Sequence, residues 1–297
     1  MITGRFAPSP SGRMHLGNLF TALLAWLSVR AQGGKMLLRI EDLDPQRSKP
    51  EFIRLLKEDL LWLGLDWDEE MPLQSSRHGL YTEFFDRLPV YPCYCSRNEL
   101  HAASAPHASD GTLVYAGTCR HLTQTERDLK VRPPAWRVAV PKKSIRFTDG
   151  VLGIYTQDLF KECGDFILRR SDGVYAYQLA VVCDDALGGV TEVVRGRDLL
   201  DSTPRQIWLY EKLGFPVPRF YHVPLLLAPD GKRLSKREKS LDMAHLREKH
   251  SPGSIIGQLA YQAGLLQSPE DCLPRDLIKL FSWSKISAEN RIIDPDF

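Results

Sequence analysis

The first 64 residues alternate between strand-like and helix-like patterns, and this alternation limits the chain to few folds. Residues 4–7 fit a short strand, and residues 16–29 carry apolar side chains at helical spacing. Residues 35–40 fit a buried strand, and residues 50–64 run from an opening proline to a closing glycine around a second amphipathic helix. Strands that alternate with helices predict an α/β fold with a doubly wound parallel sheet.

The remaining patterns divide the chain into one interrupted α/β domain and a tail. Residues 91–134 are rich in His, Ser, Ala and Gly with weak periodicity, and we interpret them as an insertion. The two halves of the main domain are then 1–90 and 135–240, and residues 241–297 form a short helical C-terminal region. A helix is predicted at 203–213. Further strands are predicted at 136–140, 145–148, 165–170 and 224–227.

Charge and targeting signals exclude several classes of protein. The 39 basic and 37 acidic residues give a net charge of only +2, so a nucleic-acid surface would need local clustering of charge. The N-terminus has no signal-peptide pattern, and no apolar run approaches the roughly 20 residues that span a bilayer. We therefore expect a cytoplasmic protein with no membrane partner. In that compartment six cysteines suggest thiols or metal ligands before disulfides.

The loop at residues 8–18 joins the first predicted strand to the first helix. The N-terminus of a helix presents free N–H groups and a partial positive charge, which suit a phosphate. Gly12 and Gly17 allow close approach of the backbone to a ligand, and His15 can donate a hydrogen bond to a phosphoryl oxygen. Taken alone, the segment also fits an ordinary loop with one exposed histidine.

A second cationic segment, Lys232–Arg237, follows a predicted turn. It places four cations and a serine in six residues. Such a segment can clamp a polyphosphate and stabilise the charge that develops on a leaving pyrophosphate. On its own it equally fits a solvated basic turn.

Together the two segments resemble the signatures of the class I aminoacyl-tRNA synthetases, on a Rossmann-like core. The tetrapeptide His15–Asn18 is similar to the motif written HIGH, and Arg233–Arg237 to the motif written KMSKS. Arg233 replaces the usual lysine and Arg237 the usual serine, and neither change removes positive charge. Four further segments resemble the glutamyl/glutaminyl branch of that family: Gly4–Gly12, Leu38–Asp44, Gln74–Arg77 and Val194–Asp198.

Glutamate carries two carboxylates and an ammonium, so a pocket for it needs cations and an anion. Arg5 and Arg195 can pair with the carboxylates, Glu41 can hold the ammonium, and the Tyr177 hydroxyl can close the pocket. The resemblance implies that the glutamate contacts are Arg5, Phe6, Ala7, Pro8, Ser9, Glu41, Tyr177 and Arg195. We interpret four other carboxylates as structural and not as a metal site: Asp42, Asp44, Asp184 and Asp185.

The resemblance also implies that ATP enters as a substrate with Mg²⁺, and that His15 and Lys236 are the catalytic residues. It assigns the ATP contacts to Ser9, His15, Gly17, Asn18, Arg233, Ser235 and Lys236.

Three cysteines in the insertion, Cys93, Cys95 and Cys119, have a spacing that fits one zinc ion. Zinc prefers four ligands, and the residues alone leave the fourth open among nearby histidines, which are His101, His107 and His121. The short glutamyl-queuosine tRNA(Asp) synthetases carry the pattern C-x-C…Y-x-x-x-C, in which a tyrosine oxygen is the fourth ligand. The resemblance therefore implies Tyr115 in that place.

Only 60 residues follow Arg237. This length is short for an anticodon-binding domain, and we expect no such domain. The resemblance then implies a monomer that forms glutamyl-adenylate without tRNA and attaches glutamate to queuosine in the anticodon arm of tRNA(Asp). Three alternatives stay open: a truncated enzyme acting on the acceptor end of tRNA(Glu) or tRNA(Gln), a non-catalytic zinc-containing paralogue that binds RNA or amino acid, and a nucleotidyltransferase using another carboxylic acid.

Overall fold

The computed structural model describes residues 1–96, 114–232 and 241–293 of the chain. Its first elements are β1 (Thr3–Phe6), α1 (Leu16–Ala31), β2 (Lys35–Leu38), α2 (Pro50–Trp62), β3 (Glu69–Glu70), α3 (His78–Asp86), β4 (Val90–Cys93) and α4 (Gln124–Asp128). The middle of the chain forms β5 (Ala135–Val138), β6 (Ser144–Asp149), β7 (Gly153–Asp158), β8 (Phe166–Arg169), α5 (Tyr177–Leu187), β9 (Glu192–Gly196), α6 (Thr203–Leu213) and β10 (Arg219–Val223). It ends with β11 (Leu226–Leu227), α7 (Met243–Lys249), α8 (Pro252–Gln262), α9 (Pro274–Leu277) and β12 (Arg291–Ile292). In these three ranges no helix is both long and apolar enough to cross a membrane.

Parallel strands form the centre of the domain and confirm the predicted α/β class. Strands β1, β2 and β3 make one parallel sheet, and β9 pairs in parallel with β10. The two groups meet where β1 lies beside β9, and there the Thr191 N–H donates to the Thr3 carbonyl at 2.9 Å. The Thr3 N–H donates to the Thr191 hydroxyl and not to a backbone carbonyl. The Thr191 side chain thus replaces one of the backbone hydrogen bonds that would join β1 to β9. The β1–β2–β3 sheet and the β9–β10 pair are therefore separate at this point.

Two further groups of strands are antiparallel. Strands β4, β5 and β8 form a sheet in that order, and β6 and β7 form a hairpin. The sequence predicts β5, β6 and β8 but not β7, because the two large apolar residues of 153–158, Ile154 and Tyr155, are adjacent and do not alternate with polar residues. The predicted start of the insertion at residue 91 lies inside β4.

Helix α1 is the main element of the larger hydrophobic core. It packs against β1, β9 and α8, and eleven of its sixteen residues are buried. The C-terminal region contacts the start of this helix. Asp242 and His15 form an isolated antiparallel β-bridge, and the Met243 N–H donates to the Met14 carbonyl at 2.9 Å. The loop before α1 is therefore held between the sheet and the tail.

Candidate active site

A cavity of about 660 Å³ opens at the carboxyl ends of β1, β9 and β10, beside the N-terminus of α1. Ligands of open parallel α/β sheets bind in the crevice at this edge. Every predicted site residue of the nucleotide and amino-acid pocket that the structure describes lines this one cavity: Arg5, Phe6, Ala7, Pro8, Ser9, His15, Gly17, Asn18, Glu41, Tyr177 and Arg195. Their individual roles remain predictions. Arg233, Ser235 and Lys236 lie outside the described residues.

Contacts within residues 15–18 shape the start of α1. The His15 N–H donates to the Asn18 side-chain oxygen at 3.2 Å, so Asn18 fixes the turn that carries His15. A Cβ on Gly17 would lie 3.1 Å from the His15 ring, a tight contact. Gly17 therefore leaves room for the imidazole beside the helix terminus.

Arg5 is buried and already paired inside the protein. Its Nε lies 3.2 Å from an oxygen of Asp185, and its Nη1 donates to the Val194 carbonyl at 3.2 Å. Arg39 is fully buried and joins Asp185 to Glu41, whose Oε1 lies 3.0 Å from Arg39 Nη2. Burial opposes ionisation of Asp185, but Arg39 and Arg5 outweigh it and hold its pKa below the ordinary value. Sequence reasoning missed Arg39, which orients the Glu41 carboxylate.

Glu41 lies just beyond β2 with its side chain on the cavity. Burial raises the pKa of Glu41, and the charges of Arg39 and Arg5 act in the opposite direction. An ammonium group bound beside it would favour the carboxylate form. Glu41 is therefore suited to receive a cation.

Arg195, at the end of β9, differs from Arg5 in having only uncharged partners. Its Nη1 donates to Gln206 Oε1 at 2.8 Å and to the Tyr177 hydroxyl at 3.4 Å. Its Nη2 donates to Thr203 Oγ1 at 2.7 Å, and its Nε donates to His222 Nε2 at 3.0 Å. Within the described residues Arg195 forms no ion pair, although it is only 4% exposed. A buried cation without a counter-ion favours a site for an anion.

The four carboxylates that the sequence analysis interpreted as structural do not form a metal cluster among the described residues. Asp42 accepts from the Ser75 N–H at 2.9 Å, and Asp185 pairs with arginines as described above. Asp184 accepts from Gln74 at 2.7 Å and lies 3.1 Å from Arg77 Nε. Asp44 is partly exposed beside Arg47. These contacts fit the structural interpretation.

The thiols of Cys93, Cys95 and Cys119 lie within 4.8 Å of one another. The Tyr115 oxygen lies 3.4 Å from the Cys93 sulfur and 3.9 Å from the Cys95 sulfur, and it accepts from the Cys119 N–H at 2.8 Å. Burial opposes ionisation of Cys93, but hydrogen bonds from Tyr115, the Cys95 backbone and Arg137 outweigh it and lower its pKa. The phenol and the three thiols therefore meet at one point.

These donors fit a zinc ion. With Zn–S bonds of about 2.3 Å, a tetrahedral site places its sulfurs about 3.8 Å apart. The Cys95 and Cys119 sulfurs are 3.5 Å apart, close to that separation. Of the three alternatives to Tyr115, His101 and His107 lie outside the described residues. His121 is described, and it does not belong to the cluster.

Replacing Cys119 with alanine is expected to abolish zinc binding and to expose the insertion to proteases, since the cluster around these ligands holds few other buried residues. Metal content measured by mass spectrometry and limited proteolysis check both effects. Cys272→Ala, a partly exposed cysteine outside the cluster, is the matched control and should retain zinc. Equal zinc content in the Cys119 variant and the wild type would contradict the assignment.

Comparison with known proteins identifies the family. Residues 1–290 match the family described as tRNA synthetases class I (E and Q), catalytic domain. The Glutamyl-Q tRNA(Asp) synthetase of Symbiobacterium thermophilum is 50% identical, with 97% of this chain and 95% of that protein covered. The protein of the same name from Nitratidesulfovibrio vulgaris is 46% identical over 100% of this chain and 97% of its own length.

Solved structures agree with these matches. A glutamate tRNA ligase from Elizabethkingia meningosepticum, solved in complex with its amino acid, superposes with a TM-score of 0.83 at 27% identity, and the match covers 99% of this chain and 67% of that one. The resemblance inferred from the motifs is thereby confirmed. The chain is a ligase that belongs to the glutamyl-Q tRNA(Asp) synthetase family of the class I tRNA synthetases.

Proposed function

We propose that this ligase activates L-glutamate with ATP in the absence of tRNA and transfers the glutamyl group to queuosine at the wobble position of tRNA(Asp). The observation that carries the amino-acid part is the buried Arg195, which has no ion-pair partner among the described residues and faces the cavity that Glu41 also lines. The names of the curated relatives support the RNA part.

Glutamate recognition follows from the charges around the cavity. Arg195 and Arg5 receive the two carboxylates, the first as the principal anchor because Arg5 is already paired with Asp185. Glu41 receives the ammonium, and the Tyr177 hydroxyl closes the pocket beside Arg195. Glutamine lacks the second carboxylate and would leave one buried guanidinium without a counter-ion, so the pocket discriminates against it.

The first step joins glutamate to ATP. A glutamate α-carboxylate oxygen attacks the α-phosphorus of ATP, the bond to the β-phosphate oxygen breaks, and pyrophosphate leaves. His15 and the N-terminus of α1 stabilise charge on the phosphates, as does Lys236. Mg²⁺ bound with ATP neutralises part of the triphosphate charge. The protein needs no nucleophile of its own, and its contribution is positioning and electrostatics.

In the second step a hydroxyl oxygen of the queuosine ring attacks the carbonyl carbon of glutamyl-adenylate. The bond between that carbon and the AMP oxygen breaks, and AMP leaves with the electron pair while the hydroxyl proton passes to solvent or phosphate. The anticodon arm of tRNA(Asp) is thus the RNA partner, and the chain is expected to act as a monomer.

Pyrophosphate exchange tests the first step. Wild-type protein with glutamate, ATP and Mg²⁺ but no tRNA should incorporate labelled pyrophosphate into ATP, and glutamine in place of glutamate should not support exchange. Absence of exchange without tRNA would overturn the proposed tRNA-independent activation.

Transfer of labelled glutamate tests the second step. We expect incorporation into tRNA(Asp) that contains queuosine, and none into the same tRNA made without the modification. Labelling of the acceptor end of tRNA(Glu) or tRNA(Gln) would instead identify the truncated acceptor-end enzyme.

The raised pKa of Glu41 predicts an acid limb in glutamate binding. As pH falls through that pKa, Glu41 takes up a proton and loses the negative charge that attracts the ammonium, so KM for glutamate should rise. The midpoint should lie above the ordinary pKa of a glutamate side chain, because burial raises the pKa of Glu41. Pyrophosphate exchange at a series of pH values gives KM for glutamate and for ATP.

Glu41→Gln supplies the control for this limb. It should show a high KM for glutamate that no longer varies with the same midpoint, and its KM for ATP should stay near the wild-type value. An unchanged acid limb in Glu41→Gln would show that another group is responsible.

A further inference from the structure

We propose that His222, held by Asp149, is a positioning residue that orients Arg195 without neutralising it, and so sets the preference for glutamate over glutamine. The proposal rests on the proposed function, in which Arg195 binds a glutamate carboxylate. Neither His222 nor Asp149 is singled out by its sequence context, and neither lines the cavity.

The contact between Asp149 and His222 is short and fully buried. His222 Nδ1 lies 2.6 Å from Asp149 Oδ2, and both side chains have zero exposure. The other oxygen, Oδ1, accepts from the backbone N–H groups of Val151 and Leu152 at 3.0 Å each. Asp149 is therefore fixed by the turn that follows β6, and it presents one oxygen to the imidazole on β10.

The arginine determines which nitrogen of His222 carries the proton. A guanidinium Nε always carries hydrogen, so at 3.0 Å the His222 Nε2 must accept from Arg195. The single proton of a neutral ring then lies on Nδ1 and is donated to Asp149. Burial lowers the pKa of His222, with Asp149 opposing this shift, so the ring stays neutral.

Thr203 completes the arrangement on the same side of Arg195. Its Oγ1 accepts from Arg195 Nη2 at 2.7 Å and lies 3.0 Å from His222 Nε2. Arg195 is thus hydrogen-bonded to neutral acceptors, and the imidazole of His222 separates it from the negative charge of Asp149. Arg5 shows the contrasting design, with a carboxylate directly on the guanidinium.

This separation has a consequence for substrate choice. A carboxylate in direct contact would satisfy Arg195 inside the protein and reduce its attraction for a substrate anion. With His222 between them, Arg195 keeps a fixed orientation and, among the described residues, no direct ion pair. The substrate carboxylate supplies the missing counter-ion, and the neutral amide of glutamine does not.

Two substitutions at His222 separate its two contacts. His222→Asn keeps a polar group near Asp149 but no acceptor that reaches Arg195, and it should raise KM for glutamate at least about tenfold. His222→Gln places an amide oxygen where Nε2 lies and should recover most of that loss. In both variants KM for ATP and kcat of pyrophosphate exchange should change little, and the glutamate-over-glutamine preference should fall in His222→Asn.

Asp149→Asn tests the proton assignment with almost no change of shape. The asparagine oxygen should keep the Val151 and Leu152 N–H groups, which leaves its NH₂ group facing His222 Nδ1. The ring proton would then move to Nε2, so that two N–H groups, those of His222 Nε2 and Arg195 Nε, would face each other and their hydrogen bond would be lost. A rise in KM for glutamate is therefore expected, and this variant carries the test if His222→Asn does not fold.

Val223→Ala is the control for a merely structural effect. Val223 is buried next to His222 in β10, and it packs in the larger hydrophobic core, which also contains α1. It should lower the melting temperature and leave KM for glutamate unchanged. If His222→Asn and Asp149→Asn behave like Val223→Ala, or raise both KM values equally, the inference is overturned. If wild-type protein shows no glutamate-dependent exchange, the proposed function fails and the inference fails with it.

Discussion

Arg195→Ala is expected to lower kcat/KM for glutamate in pyrophosphate exchange by about thirtyfold or more, since losing one member of a buried charge pair costs about 2–5 kcal/mol. The loss should appear mainly in KM for glutamate, because the guanidinium binds the amino acid and not the reacting phosphates. KM for ATP should stay close to the wild-type value.

The size of this effect follows from the surroundings of Arg195. Within the described residues its partners are neutral, so its charge is available to the ligand. Arg195→Lys should restore only part of the loss, because an ammonium cannot reproduce the fork of contacts to Gln206 and Thr203.

Arg197→Ala is the matched control for Arg195→Ala. Arg197 lies two residues further on, bonds to the Ala288 carbonyl and does not line the cavity. It should retain wild-type exchange. A KM for glutamate in Arg195→Ala equal to that of Arg197→Ala would refute the assignment of the carboxylate anchor.

Lys236→Ala is expected to lower kcat for adenylate formation by about a hundredfold or more, the usual cost of removing one group that stabilises transition-state charge. The fold should remain intact, and KM for glutamate should change little. Single-turnover formation of glutamyl-adenylate measures the chemical step directly, and a melting curve checks the fold.

Lys236 lies outside the described residues, but the chain on both sides of residues 233–240 is placed. Leu226 lines the cavity, and the Ala228 N–H donates to the Lys232 carbonyl at 2.8 Å in the following turn. On the other side, Asp242 bridges to His15. The described residues on both sides of the segment are thus connected to the cavity lining, and the role of Lys236 stays a prediction.

Lys212→Ala, an exposed lysine at the end of α6, is the control and should retain wild-type rates. A Lys236→Ala enzyme that forms adenylate as fast as this control would exclude a role for Lys236 in the first step.

Local signals in the sequence are enough to predict some elements and not others. Helix α6 spans 203–213 as predicted, because Pro204 opens it and Gly214 ends it in a left-handed conformation. Helix α5 is not predicted, since the unbroken apolar run of residues 179–183 at its centre has no clear period. The hairpin strand β7 is missed for the opposite reason, because it has too few apolar residues, and these do not alternate with polar ones.

The candidate site divides in the same way. Residues in short motifs, such as His15 and Glu41, can be found because their neighbours in sequence are also their neighbours in space. Two pairings are missed because the partners lie far apart along the chain: 146 residues separate Arg39 from Asp185, and 73 separate Asp149 from His222. No local pattern encodes such pairs, and only the packed sheet brings them together.

Strands β4 and β5 also determine where the chain can change in length. Cys93 and Ala135 face each other across this antiparallel pair, about 4.8 Å apart as neighbouring strands are. The segment 94–134 therefore begins and ends at adjacent positions of this strand pair. A change of length within it need not shift the register of either strand, provided that Cys95, Tyr115 and Cys119 keep their places beside Cys93. Such a change would alter the insertion while the strands that carry Arg5 and Arg195 stay unchanged.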